Sequence, residues 1–377
     1  MKIVLAFDKF KGSATSRQVA EAARRAILDW NPATQVLVVP MADGGEGTVE
    51  ALAGALPNLH PATVETPGPM IDGEPVSAHY VIDAHSGTAV MEMSTACGLA
   101  LVPVAQRNVM KASTWGVGMM VRDAIERGCH HIVMGLGGSA TCDAGMGLLA
   151  ALGFVFRDNQ AHELMPCGDS LSRVATIDGS GVPDEVRQCQ FTLLCDVGNV
   201  LCGSQGAARV FAPQKGASAL QVEQLERGLQ HFATLLPQGV ATQAGAGAAG
   251  GLAAGMLGLL HAHLAPGAEA ILNLLHFDEL IADARLVFTG EGCLDVSSTF
   301  GKTPTAVLAR AHAQHIPVVA VCGALSPDFD VEALEFDAVF PVISSPMTVA
   351  EAMHTSTCLK NVEFTISQLL KIYSLKT

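Results

Sequence analysis

Five short apolar segments in this chain are each followed by a cluster of glycine with charged or hydroxyl residues. The clusters lie at residues 8–13, 43–48, 135–143, 195–199 and 289–292. Each apolar segment is typical of a strand, and the ligands of open α/β sheets bind beyond the carboxyl ends of the strands. The pattern therefore predicts one highly polar ligand site that uses all five clusters.

Residues 135–143, with the sequence GLGGSATCD, follow a predicted strand and lead into a predicted helix. Glycines let backbone N–H groups approach an anion, hydroxyl groups add donors, and a helix N-terminus adds partial positive charge. This order predicts a phosphate or carboxylate site with candidate residues Gly137, Gly138, Ser139, Thr141 and Asp143. The alternative is structural, with Ser139 or Thr141 capping the helix and the glycines only forming the turn.

Residues 43–48, with the sequence DGGEGT, place two carboxylates around a double glycine. Asp43 and Glu46 are candidate metal ligands, and Gly44 and Gly45 are candidate binding positions. A single acidic turn is commonly a solvated loop, but further carboxylates are expected in the same cleft. Clustered carboxylates repel one another unless Mg²⁺ or lysine neutralises them, so the cluster predicts a cation. The other candidates there are Asp295 for metal and Asp8, Ser13, Gly290 and Glu291 for binding.

Positive charge is scarce, since only 22 of the 377 residues are Lys or Arg. Four lysines nevertheless lie within or beside glycine-containing motifs, at Lys9, Lys11, Lys215 and Lys302. We expect the last three to neutralise phosphate charge, as phosphoryl transfer requires. Asp196 follows a predicted strand and is the first candidate for accepting a substrate hydroxyl proton, although it could instead cap the following turn.

The composition limits the number of domains, the kinds of partner and the redox compartment. With 49% apolar and 15% charged residues, the chain is long enough for two or three domains with sizeable cores. A net charge of −14 argues against nucleic acid or an anionic membrane as a partner. The ten cysteines show no C-x-x-C pair or zinc spacing, which favours free thiols in a reducing compartment.

The sequence predicts neither a signal peptide nor a transmembrane helix, so we expect a cytoplasmic protein. Lys2 leads directly into an apolar strand rather than into a cleavable signal segment. Residues 228–268 contain no Asp, Glu, Lys or Arg, but their centre is rich in Gly and Ala and lacks flanking basic and aromatic belts. We therefore expect a glycine-rich turn and a buried helix in this segment.

The order of the apolar segments predicts an α/β protein with a doubly wound parallel sheet. The first 60 residues alternate strand and helix twice, with the first helix at residues 16–30, and the last hundred residues add three more strands with helices, one of them near residues 303–313. Between these parts we predict strands at residues 76–83 and 190–194 and a helix at residues 143–152. We predict a flavodoxin-like domain at residues 1–66 plus 279–377, interrupted by an inserted mixed α/β domain at residues 67–278. In the strand order 2-1-3-4-5, the loops after the first three strands become neighbours.

As a set, these motifs resemble the type I family of bacterial glycerate kinases. The resemblance runs end to end, through residues 8–13, 42–48, 137–143, 195–199, 211–217 (FAPQKGA), 245–251 (GAGAAGG), 289–295 and 301–304. It implies ATP-dependent phosphorylation of D-glycerate with Mg²⁺, and an active site in the cleft between the two domains. Bacterial enzymes of this type generally make 2-phosphoglycerate, although some glycerate kinases make the 3-isomer.

Two other function classes fit parts of the pattern. Residues 135–140 also resemble the phosphate loop of the GHMP small-molecule kinases, but residues 8–13 and 43–48 have no counterpart there. A non-catalytic sensor could bind a phosphorylated acid or a nucleotide through the same loops. In all three cases the expected partners are small molecules, and for a glycerate kinase they are D-glycerate and ATP. The sequence is compatible with a homo-oligomer.

Overall fold

The computed structural model describes residues 1–42, 45, 47–53, 58–70, 72–299, 302–328, 330 and 334–374. The strands are β1 (Lys2–Phe7), β2 (Gln35–Val38), β3 (Leu59–Thr66), β4 (Val76–Asp83), β5 (Thr88–Glu92), β6 (His131–Gly135), β7 (Val155–Arg157), β8 (Thr176–Asp178), β9 (Gln190–Leu194), β10 (His263–Ala265), β11 (Leu286–Gly290), β12 (Cys293–Leu294), β13 (Val318–Cys322), β14 (Ala324–Leu325) and β15 (Ala338–Pro341).

The α-helices are α1 (Ser16–Trp30), α2 (Thr48–Leu52), α3 (Ser94–Cys97), α4 (Trp115–Glu126), α5 (Met146–Ala151), α6 (Asp184–Gln188), α7 (Ala207–Phe211), α8 (Ala219–Ala233), α9 (Leu252–Leu259), α10 (Gly267–Leu274), α11 (Phe277–Ile281), α12 (Thr303–Ala313), α13 (Val349–Ala352) and α14 (Thr355–Ser374). Short 3₁₀ turns lie at Leu99–Leu101, Val104–Gln106, Gly168–Arg173, Pro213–Lys215, Val240–Thr242, Ala248–Gly251 and Val296–Thr299.

The chain divides into two compact units, of which the first comprises Met1–Asp43 and Pro266–Thr377. Its five-stranded sheet has the order β15-β13-β11-β1-β2, and every neighbouring pair is parallel. Alternate residues of β1, Ile3, Leu5 and Phe7, pack in a core shared with α1 and α14. Because all five strands run the same way, their carboxyl ends lie at one edge of the sheet.

The start of helix α1 is determined by its local sequence. Thr15 and Gln18 form a capping box, in which each side chain accepts a hydrogen bond from the other residue's backbone N–H. The box satisfies N–H groups that the first turn leaves without helical partners. The predicted helix at residues 16–30 is confirmed with the same bounds.

The second unit spans Gly44–Ala265 and contains a six-stranded sheet in the order β10-β9-β6-β5-β4-β3. Strand β4 is antiparallel to both β3 and β5, and the remaining pairs are parallel. A separate antiparallel pair is formed by β7 and β8. Strands β5, β6 and β9 are parallel neighbours, so the loops that follow these three strands begin at one edge of this sheet.

The unit boundaries differ from the predicted ones at residues 66 and 278. Strand β3 pairs with β4 from Leu59 to Thr66, so it extends the second sheet. The proline-rich segment after it is a connection between two strands of one sheet. At the other boundary, Arg310 of α12 forms ion pairs with Glu269 and Asp278, which fixes α10 and α11 to the first unit.

The uncharged segment at residues 228–268 folds as predicted from its composition. The 3₁₀ turn Ala248–Gly251 leads into α9, where six of the eight residues are buried. Among the helices of the described residues, none combines the length and the apolar character needed to cross a membrane.

Candidate active site

The anion loop, residues 135–143, leaves the end of β6 in the second unit. Gly137 and Gly138 are exposed, Ser139 is nearly buried and Thr141 is fully buried. Gly138 has a φ of 74°, a left-handed conformation that glycine adopts without strain. The exposed glycine pair is thus the part of the loop that a ligand can approach.

Asp143 lies in the core beneath this loop and is fully buried. Its carboxylate accepts hydrogen bonds from the backbone N–H and hydroxyl of Thr114, both at 2.8 Å, and from the N–H groups of Gly145 and Gly147 at 3.2 Å. Burial raises the pKa of this carboxyl, and the four donors act against that rise.

This arrangement changes the predicted role of the helix that follows. The sequence placed its start at Asp143, whereas α5 begins at Met146, after Gly145 in a left-handed conformation with φ 78°. The Asp143 carboxylate accepts N–H groups at the start of α5, so the partial positive charge there meets a protein carboxylate. Donors for an external anion are therefore expected from Gly137 to Ser139, and Asp143 supports the loop from inside.

Lys215 reaches the same loop from the 3₁₀ turn Pro213–Lys215 and is only 3% exposed. Its ammonium donates to Ser139 Oγ and to the carbonyl oxygen of Thr141, both at 2.6 Å. Burial lowers its pKa to about 8. The structure therefore places a cation directly under the loop, as an anion site requires.

The glycine-rich segment at residues 245–251 packs against the other side of the loop. A Cβ on Gly250 would lie 2.1 Å from the carbonyl oxygen of Thr141, and the N–H of Ala144 donates to the Gly250 carbonyl at 3.1 Å. In the following helix, a Cβ on Gly255 would lie 2.2 Å from the carbonyl oxygen of Ala144. Small residues here allow two backbones to touch and so fix the loop.

A second group of predicted site residues lies in the first unit, where β1 and β11 run side by side. Phe7 is the register partner of Gly290, and the N–H of Asp8 donates to the Gly290 carbonyl at 2.9 Å. A Cβ on Gly292 would lie 3.2 Å from the backbone nitrogen of Lys11. The loops after these two strands are therefore neighbours, as parallel pairing predicts.

Glu291 is nearly buried beside this edge and interacts with two of the other candidates. Its carboxylate accepts a hydrogen bond of 2.7 Å from Ser298 Oγ and lies 3.6 Å from Lys302 Nζ. Lys302 also lies 3.8 Å from Asp295 Oδ1, and the Asp295 side chain is 42% exposed. Burial raises the pKa of Glu291, and the Lys302 ammonium opposes that rise. Lys302 therefore pairs with two of the carboxylates, Glu291 and Asp295.

Gly290 has a structural reason to be glycine. A Cβ at this position would lie 1.7 Å from the carbonyl oxygen of Val321 in β13, far inside contact distance. We expect Gly290→Ala to force β11 and β13 apart and to lower the free energy of unfolding by about 3 kcal/mol or more. Urea unfolding measures this, with Gly198→Ala as control, since an added Cβ there meets no atom within 4 Å. Equal stability of the two variants would contradict the close approach.

The other predicted residues are placed as follows. Asp196 is exposed just beyond β9, and the preceding N–H of Cys195 donates to the Ala265 carbonyl at 3.0 Å. The side chain of Lys11 is exposed, and Ser13 closes a turn by donating its N–H to Phe10. Their roles in binding and catalysis stay predictions.

The acidic loop, residues 43–48, is described only in part. Asp43, Gly44 and Glu46 lie outside the described residues, whereas Gly45 accepts a 2.7 Å hydrogen bond from Thr48 Oγ1. Within the described part of the chain, no group of three or more His, Cys, Asp or Glu side chains is arranged to hold a metal ion. The predicted Mg²⁺ site therefore stays a prediction.

Sequence reasoning missed two residues that hold these loops. Thr114 donates twice to Asp143, and Glu92 ends β5 with its carboxylate buried. Neither lies in a glycine cluster, and each has a hydrogen-bond partner 29 or more positions away in sequence. An acidic residue at the end of an otherwise apolar strand was the only available signal for Glu92.

Comparison with known proteins gives a consistent assignment. The model of the glycerate kinase family matches residues 3–374. The glycerate kinase of Halalkalibacterium halodurans and the glycerate 2-kinase of Escherichia coli are each 39% identical to this chain, over 93% of both proteins. A crystal structure of a candidate glycerate kinase 2 from Salmonella typhimurium LT2 is 38% identical and superposes with a TM-score of 0.87, covering 100% of this chain and 99% of that one.

The family model and the crystal structure both cover the two units of this chain, and the superposition includes the mixed α/β fold with its parallel sheets. Identities of this size over nearly full length leave no large region of either unit outside the comparison. The chain therefore belongs to the glycerate kinase family, whose enzymes are kinases that phosphorylate an alcohol group.

Proposed function

We propose that this protein transfers the γ-phosphoryl group of ATP to a hydroxyl of D-glycerate and forms 2-phosphoglycerate. The observation that carries the proposal is the buried Lys215 ammonium beneath the exposed Gly137–Gly138 pair. The full-length similarity to a protein named glycerate 2-kinase supports the choice of acceptor and product.

The proposed chemistry is mainly positioning and electrostatic stabilisation. The substrate hydroxyl oxygen forms the new bond to the γ-phosphorus while the bond to the ADP oxygen breaks, and the hydroxyl proton passes to Asp196. Lys215 and the backbone N–H groups of Gly137 and Gly138 stabilise the negative charge of the transferring group. Lys11 and Lys302 would neutralise further phosphate charge.

Binding of the substrates would use the remaining candidates. Asp8, Ser13, Gly290 and Glu291 form one group in the first unit, and Gly44 and Gly45 belong to the acidic loop. Asp43, Glu46 and Asp295 are the proposed ligands of Mg²⁺, which would neutralise phosphate charge when bound. That the residues of the two units act on the same substrates, in a cleft between domains, stays a prediction.

We also propose that the architecture is a flavodoxin-like domain with an inserted second domain. Numbered along the chain, the five strands of the first sheet follow the order 2-1-3-4-5, which supports this description. A cytoplasmic location is proposed as well. It is supported by the ten cysteines, all of them free thiols within the described residues.

A coupled assay of ADP release tests the function. Release that depends on D-glycerate supports the proposal, and release with other alcohols instead favours a kinase of the GHMP kind. Nucleotide binding without turnover indicates a sensor. Proton NMR of the product then distinguishes 2-phosphoglycerate from 3-phosphoglycerate, and the 3-isomer would contradict the proposed regiochemistry.

A further inference from the structure

Glu92 is a buried carboxylate at the carboxyl end of β5, only 4% exposed. Its Oε1 accepts the N–H of Val49 at 2.6 Å, and its Oε2 accepts the N–H of Gly47 at 3.1 Å. The hydroxyl of Ser94 also donates to Oε2, at 3.2 Å. One side chain therefore holds two backbone groups at the start of α2, more than 40 positions away in sequence.

The start of α2 depends on this distant acceptor. Gly47 occupies the N-cap position with a φ of 95° and has no side chain to cap the helix. A helix of five residues has little stability of its own, because the cost of its first turn is hardly repaid. The carboxylate of Glu92 supplies the missing cap and fixes the turn that ends the acidic loop.

The segment that follows Glu92 pairs with the anion loop. The N–H of Met93 donates to the Gly135 carbonyl at 3.0 Å, and the N–H of Leu99 donates to the Gly138 carbonyl at 2.8 Å. In the other direction, the N–H of Ala140 donates to the Cys97 carbonyl at 2.9 Å. Residues 92–99 thus connect the end of the acidic loop to the backbone of the anion loop.

A helix cap alone does not require this choice of residue. Ser, Thr or Asn caps a helix without burying a charge, whereas a buried carboxylate is costly unless several donors satisfy it. Here the donors are the N–H groups of Gly47 and Val49 at the start of α2 and the hydroxyl of Ser94, in the segment that pairs with the anion loop, so the carboxylate joins the start of α2 to that segment. The acidic loop and the anion loop both carry residues of the proposed phosphoryl-transfer site.

We propose that Glu92 is a positioning residue, which holds the backbone of Gly47 and Val49, at the start of α2, in register with the anion loop. The inference rests on the proposed kinase function. Glu92 acts through the backbone groups that it holds, and the carboxylate itself needs no contact with substrate.

Glu92→Gln tests this role. The amide keeps one acceptor oxygen and presents an NH₂ group to one of the two backbone N–H groups, so at least one hydrogen bond is lost. We expect kcat to fall about 10-fold to 100-fold at saturating ATP and D-glycerate. Amide exchange, measured by mass spectrometry on peptides containing Gly47 and Val49, should become faster.

Two further variants complete the experiment. Ser94→Ala removes one donor to the carboxylate and should lower kcat by a smaller factor while speeding exchange in the same peptides. Glu65→Gln makes the same chemical change at an exposed position of β3 and should match the wild-type protein in both measurements. If Glu92→Gln yields no folded protein, Ser94→Ala carries the comparison.

Two results would overturn the positioning role. One is exchange at Gly47 and Val49 that does not differ from wild type. The other is faster exchange with an unchanged kcat, which would make Glu92 a structural cap only. Failure of the kinase function is recognised separately, because the wild-type protein would then release no ADP in response to D-glycerate.

Discussion

Asp196→Asn is expected to lower kcat by about 10²- to 10⁴-fold, the range contributed by a general base. The amide has nearly the shape of the carboxylate but cannot accept the proton of the substrate hydroxyl. Asp196 is exposed beyond β9, where Cys195 ties the chain to Ala265, so the substitution should leave the fold intact. ADP release at saturating ATP and D-glycerate measures the effect.

The matched control is Asp184→Asn, which changes an exposed aspartate in the first turn of α6. Surface substitutions of this kind usually change stability by less than about 0.5 kcal/mol, so thermal melting should be unchanged in both variants. Turnover by Asp196→Asn that stays near the wild-type rate would show that another group accepts the proton.

Local patterns predicted most of the elements that carry the site. Helix α12 has the predicted bounds, Thr303–Ala313, and Val76–Asp83 and Gln190–Leu194 were also predicted residue by residue. Glycine, proline or charged residues lie at or beside the ends of these segments. Because parallel strands end at one edge, the neighbouring positions of Asp8 and Gly290 could be predicted as well.

The depth at which each site residue lies could not be predicted. The sequence shows Lys215 beside a glycine, but its burial depends on Ser139 and Thr141, more than 70 positions earlier. The sequence predicts Asp143 as an accessible acidic residue in the first turn of a helix, yet Thr114 donates to its carboxylate in the core and α5 begins only at Met146. Contacts between distant segments decide these environments, and a single sequence does not reveal them.

The division into units was also set by distant pairing. A segment rich in proline and glycine after residue 66 resembles a boundary, but hydrogen bonds between β3 and β4 continue to Thr66 and Val76. Turn signals indicate where a strand ends and carry no information about which sheet the strand joins. This is why the predicted boundary at residue 66 lies more than 20 residues beyond the structural boundary at Asp43.

Lys215→Met should lower kcat by about 10²- to 10³-fold, the loss seen when one preorganised charge or donor is removed from a transition state. The apolar side chain fills the same buried space but supplies no charge beneath Gly137 and Gly138. Lys111→Met, at an exposed position of the same unit, is the control and should keep full activity. Equal kcat for the two variants would remove Lys215 from the proposed site.

The pH dependence gives a second, independent test of the same lysine. Its pKa of about 8 lies below the ordinary value of 10.5, so the folded protein loses this proton first. Activity that needs the ammonium should therefore fall as pH rises through about 8. Between about pH 8 and 10.5 the unfolded chain holds the proton more tightly, so the contribution of Lys215 to the free energy of unfolding increases with pH. Rate profiles and thermal melting of wild type and Lys215→Met should show activity and stability changing in opposite directions, with both changes absent in the variant.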